Sequence, residues 1–144
     1  MSENLLIESG QDYTELFNPV INGSLDKLIN TERELKHEAK IAEIQAKSAI
    51  FRMTPHSEIP WGPERSLARD MHDFLPRRIT ILKAQKKAGE EFLNSLEKKP
   101  IANRKKKIAF MKSHNEALGS IINSYEKIDA VACKVIAESP MSRL

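Results

Sequence analysis

Residues 21–53 read INGSLDKLINTERELKHEAKIAEIQAKSAIFRM, and the spacing of the apolar side chains in this stretch decides the fold. Positions 21, 25, 28, 32, 35, 39, 42, 46, 49 and 53 alternate in steps of four and three. They are Ile, Leu, Leu, Glu, Leu, Ala, Ala, Ala, Ala and Met. Only Glu32 breaks the apolar seam, and Lys and Glu fill the positions between. A 3–4 alternation of this length is the signature of a helix with a heptad face. Pro19 suits the first turn of a helix, so the spacing predicts one helix over 19–53.

The same reading extends outward. Thr54 to Pro63 carries three prolines in ten residues, too many for a helix to survive. The apolar stripe resumes with Leu67, Met71, Phe74 and Leu75, then Ile79, Leu82, Gly89, Leu93 and Leu96. This predicts a helix over 64–99, kinked or split at Pro76, which removes the hydrogen bond to the carbonyl of His72. A third helix is expected from about Ile101 to Glu138, ahead of Ser139-Pro140. Its face from Ile108 and Met111 through Leu118, Ile121, Ile122, Tyr125, Ile128, Ala132, Val135 and Ile136 is wide enough for two neighbours. No segment shows strand-like alternation. Each predicted rod is roughly 52–57 Å long at about 1.5 Å per residue.

The fold expected is therefore all-α: an elongated up-down-up bundle of three long helices, heptad-patterned and self-associating into a homo-oligomer. Residues 1–18 form an acidic and apolar N-terminal arm, 19–138 a single helical-bundle domain, and 139–144 a short tail. Gly89 and Gly119, inside predicted helices, are expected to mark close approach of a neighbouring backbone.

Length and composition agree. The 144 residues are 40% hydrophobic and 30% charged, within the range of one soluble globular domain. A single cysteine, Cys133, cannot make an internal disulfide, so a reducing, cytoplasmic setting is expected. The first residues, MSENLLIESGQDY, read as neither a signal nor a transit peptide. No apolar run approaches the roughly 20 residues needed to span a bilayer, so no integral membrane association is expected.

Catalytic and metal chemistry find little in the sequence. Glu34 and His37 have the Glu-x-x-His spacing of carboxylate-bridged metal bundles, but a second copy is missing and both lie off the seam. Asp70, His72 and Asp73 read as a solvated face. His56 and His114 have no obvious partner, and Cys133 beside the apolar stripe reads as a buried small hydrophobe. No phosphate-cradling glycine loop, nucleophile elbow or zinc-spaced cysteine pair occurs. The expectation is a protein that is not an enzyme and has no catalytic residue, no metal and no cofactor.

The charge is more telling. Twelve cations fall between residues 77 and 112: Arg77, Arg78, Lys83, Lys86, Lys87, Lys98, Lys99, Arg104, Lys105, Lys106, Lys107 and Lys112. Only three acids, Glu90, Glu91 and Glu97, share that window. Its net +9 leaves −6 for the rest of a chain whose total is +3. Arg104 to Lys107 also fall at a helix start, where the dipole disfavours cations by about 0.3–1 kcal/mol each and free N–H groups favour anions. A polyanion would relieve that repulsion. The expected function is therefore accessory binding to the nucleic-acid phosphate backbone, DNA or RNA, through this surface. No aromatic side chain interleaves the cluster to stack bases.

The alternative class is a protein–protein adaptor or chaperone-like bundle. Trp61, the only tryptophan, sits in the proline-bounded loop Ile59-Pro-Trp-Gly-Pro63, where it either folds back over the end of the bundle or stands exposed as a candidate partner-binding anchor. The N-terminal arm, acidic at Glu3, Glu8, Asp12 and Glu15 and apolar at Leu5, Leu6, Ile7, Leu16 and Phe17, suits a segment that orders on a partner, on its own bundle, or over the basic corner in trans.

Overall fold

A computed structural model describes residues 17–54, 62–98 and 100–138. All four of its regular elements are helices: α1 (Asn18–Asn22), α2 (Leu25–Met53), α3 (Pro63–Leu96) and α4 (Arg104–Glu138). Among the described residues there is no strand.

Each boundary has a local cause. The first expected helix is interrupted at Gly23 and Ser24, so α1 and α2 are separate. Ser24 is extended at ψ 155°, and its Oγ accepts a hydrogen bond from the Lys27 N–H at 3.2 Å, a side-chain cap that starts α2 afresh. Thr54 ends α2, its Oγ1 donating to the Ile50 carbonyl at 2.7 Å. Gly62 enters α3 at φ 47°, a left-handed conformation that glycine adopts without penalty, and Pro63 takes the first turn. Helix α3 continues on both sides of Pro76 rather than splitting there. The last helix starts three residues later than expected because Asn103 stands at φ 57°, a conformation that asparagine tolerates better than most residues.

Helix α4 packs against both α2 and α3, whereas α2 and α3 touch each other only slightly. The wide apolar face read from its sequence serves those two neighbours. One core cluster joins Ala42, Ala46, Ala49 and Met53 of α2 to Ala68, Leu75, Ile79 and Leu82 of α3 and to Leu118, Ile121, Ile128 and Ala132 of α4. A second joins Phe17, Val20 and Leu28 to Ala88, Phe92 and Leu96 and to Phe110 and Met111. Phe92 is completely buried, although it lay off the predicted stripe. Burial of a side chain of that size contributes about 1.5–3 kcal/mol.

Other side chains depart from expectation. Phe74, on the expected core stripe, is 53% exposed, because α2 does not close over that side of α3. Cys133 is exposed rather than buried. Phe17, counted with the arm, is buried and stacks on Phe92 with ring centroids 4.8 Å apart. Gly89 does mark a close approach, but of a side chain rather than a backbone: a Cβ there would collide with Asn115 Oδ1. At Gly119 the neighbour is likewise a side chain, the methylene stem of Lys86. No helix among the described residues is long and apolar enough to cross a membrane.

Candidate functional site

The twelve cations of the 77–112 window do not form one surface. Six are exposed and make no ion pair among the described residues: Arg77, Lys87, Lys98, Lys105, Lys106 and Lys112. Lys83 pairs with Glu126 at 3.0 Å, and Lys86 with Glu90 at 3.4 Å. Arg78 is half-buried and lines an apolar groove. Arg104 Nη1 donates to the carbonyl of Glu97 at 3.5 Å, the residue that caps α3. Lys107 is turned fully inward, 4% exposed, with Nζ donating to the Ile21 carbonyl at 2.6 Å. Lys99 lies outside the described residues.

The Arg104–Glu97 contact brings the end of α3 to the start of α4, placing Lys98, Lys105 and Lys106 around one corner of the molecule. Arg77 is remote from it, roughly 30 Å back along α3 at 1.5 Å per residue. At the corner, a hollow is lined by Pro100, Ile101, Asn103, Arg104, Lys105 and Lys106. The first bond of α4 runs from the Lys107 N–H to the Asn103 carbonyl. The N–H groups of Lys105 and Lys106 precede it and face the open end of the helix, with no acidic residue in that turn.

A groove of about 390 Å³ opens where α2 and α3 stay apart. Its apolar walls come from Leu35 and Ile41 on α2, Leu82 on α3, and Phe110, Leu118 and Ile121 on α4. A second groove, of about 320 Å³, runs beside Met71, Phe74 and Ile128. Gln45 and Tyr125 line both, so the two are neighbours along the α2–α3 opening. Ile41, Ile44, Phe51 and Phe74 are exposed. No spacing in the sequence signals this opening, because a heptad seam reports which side faces a partner and not how many partners close around it.

His114, without an obvious partner in the sequence, lies on the wall of the larger groove. Phe17 meets its ring edge-on at 5.7 Å, and Phe110 lies tilted against it at 6.1 Å. Burial pushes its pKa below the ordinary 6.5, outweighing a hydrogen bond to the Asn115 side chain that favours the proton.

Farther along the α3–α4 seam, His72 of α3 meets Asp129 and Cys133 of α4. The ring nitrogen Nδ1 is 2.9 Å from Asp129 Oδ1 and 3.4 Å from Cys133 Sγ. One ligand atom from each residue falls within 4.8 Å of the others, a set of groups that can hold a metal. Partial desolvation first, and the Asp129 carboxylate second, push the Cys133 thiol above its ordinary pKa although the residue is exposed. Glu34, His37, Asp70 and Asp73 are also exposed, and among the described residues none of them joins a group that could hold a metal. Trp61, His56 and the apolar triplet of the N-terminal arm lie outside the described residues.

Comparison with family models, curated protein sequences and solved structures returns no match for this chain.

Proposed function

We propose that this chain is a non-catalytic accessory protein that binds the phosphate backbone of nucleic acid through the corner where α3 ends and α4 begins. One observation carries the reading: Lys105 and Lys106 stand exposed in the first turn of a 35-residue helix, with Lys98 beside them and no acid in that turn. Cations at a helix start add to its positive dipole and destabilise it, so an anion bound there is favoured by side chains, N–H groups and dipole together. Binding of this kind reads charge and spacing, not base sequence. Charge reversal at Lys98, Lys105 and Lys106 is expected to abolish retention of labelled DNA or RNA at low salt. Unchanged retention would remove the corner from the account.

A second reading, as a protein–protein adaptor, is supported by the α2–α3 groove, by exposed Ile41 on its wall and by exposed Phe74 on the wall of the neighbouring groove. Apolar side chains aligned beside a groove between helices suit the apolar face of a partner helix.

We also take the three long helices as an up-down-up bundle bent at Pro76 and self-associating through the face of α2 opposite its buried heptad seam. The cross-contacts support the antiparallel sense of α3 and α4: early His72 meets late Asp129, while late Gly89 faces early Asn115. Ile44 and Phe51, seven residues apart on one face of α2, support the association.

A further inference from the structure

We propose that His72, Asp129 and Cys133 form a three-ligand site for zinc, a borderline-soft divalent cation, across the seam between α3 and α4. Asp129 and Cys133 stand one turn apart on α4, so both side chains project from the same face of that helix. His72 reaches them from α3. An imidazole nitrogen, a carboxylate oxygen and a sulfur thus converge on one point from two helices.

The geometry separates this reading from nucleophilic catalysis. In a cysteine–histidine–aspartate relay the imidazole stands between its partners, with one nitrogen facing the thiol and the other the carboxylate. Here both contacts fall on the same nitrogen, Nδ1, at 2.9 and 3.4 Å. A proton on Nδ1 donated to Asp129 leaves no lone pair there to take the thiol proton.

A metal requires the arrangement that the relay forbids. Bond lengths of about 2.0–2.1 Å to nitrogen and oxygen and about 2.3 Å to sulfur place tetrahedral ligand atoms about 3.3–3.6 Å apart. The nitrogen–sulfur separation already matches. The nitrogen–oxygen separation, now that of a hydrogen bond, has to widen by a few tenths of an ångström, which a small turn of the Asp129 carboxylate supplies. The donor set of one nitrogen, one oxygen and one sulfur suits zinc better than magnesium or calcium, which take oxygen ligands. His72 and Cys133 are both exposed, so the fourth position opens to solvent and takes a water. On binding, the thiol loses its proton to solvent as the zinc–sulfur bond forms. The ion then clips α3 to α4.

Cobalt(II) titration of the full-length, chelator-treated and reduced chain tests the site, since a cobalt–thiolate bond gives a near-ultraviolet charge-transfer band and tetrahedral cobalt gives visible bands. The expected result is one equivalent bound, displaced by zinc, with the thiolate band lost in Cys133→Ser and affinity lowered about 10-fold or more in His72→Ala and Asp129→Asn. Circular dichroism confirms that the variants fold, which the exposure of His72 and Cys133 favours. Zinc is also expected to raise the thermal midpoint of the parent chain and not of Cys133→Ser. Absence of a thiolate band in the folded parent chain, or zinc affinity unchanged in Cys133→Ser or His72→Ala, would overturn the proposal.

Discussion

Lys107 Nζ donates a hydrogen bond of 2.6 Å to the backbone carbonyl of Ile21, joining positions 86 residues apart in the chain. Helix α1 has only five residues, and its last carbonyls have no partner within the helix. A cation at that end satisfies one of them and complements the negative end of the dipole. The contact fastens α1 to α4 beside the Phe17–Phe92 stack. It also takes one lysine out of the basic run and gives it a structural task.

Lys107→Met is therefore expected to lower stability by about 1–3 kcal/mol, the usual cost of stranding a buried hydrogen-bond partner. Chemical denaturation measures that loss. The salt dependence of nucleic-acid binding, measured where the variant is fully folded, is expected to match that of the parent chain. A shallower dependence would return Lys107 to the phosphate-binding surface.

Gly89→Ala is expected to destabilise the protein, against the ordinary rule that alanine in a helix is better than glycine by about 1 kcal/mol. The added Cβ collides with Asn115 Oδ1. Asn115 is itself buried, with an amide Nδ2 that finds no partner among the described residues, so it has little room to yield. The double variant Gly89→Ala with Asn115→Ala is expected to recover most of the loss. Urea midpoints of the two single variants and the double variant check the coupling.

His114 makes stability depend on pH. Its folded pKa lies below the unfolded 6.5, so the unfolded chain binds the proton more readily. Stability from this group is complete above about pH 6.5 and declines as pH falls through 6.5 toward the folded value, because unfolding then takes up a proton. In His114→Gln the part of the acid slope that begins near pH 6.5 is expected to disappear. Denaturation midpoints measured between pH 7.5 and 5 read this directly.

These side chains also show how far the sequence could be read. The α2 seam from Leu28 to Met53 was legible because a 3–4 alternation commits every core position to one face. Lys107 was legible in principle: it lies three residues before Phe110 and four before Met111, on the buried face of α4, but its three basic neighbours masked that spacing. His72, Asp129 and Cys133 were not legible together. Their meeting depends on the axial register of two helices more than fifty residues apart, which no local pattern encodes. The α2–α3 opening was hidden for the related reason that a seam does not say how tightly the third helix closes. Phe74 shows the consequence, an apolar residue on the expected stripe and yet half in solvent.

Ile44→Glu with Phe51→Glu tests self-association. Both side chains are exposed, at 59% and 72%, so stability is expected to change by no more than about 0.5 kcal/mol. Sedimentation velocity at rising concentration is expected to show the parent chain associating and the variant remaining monomeric. Identical behaviour of the two would place any association elsewhere.

The central claim, a phosphate-binding corner at the α3–α4 junction, is tested most directly by nucleic-acid affinity measured across a salt series. Contacts from Lys98, Lys105 and Lys106 to three phosphates predict a log–log slope of about −2 to −3, from about −0.7 to −0.9 per contact. The same contacts predict little preference among base sequences and loss of the slope on charge reversal at those three lysines. No binding to single- or double-stranded DNA or RNA at low salt, or a slope unchanged by the reversal, would contradict the account.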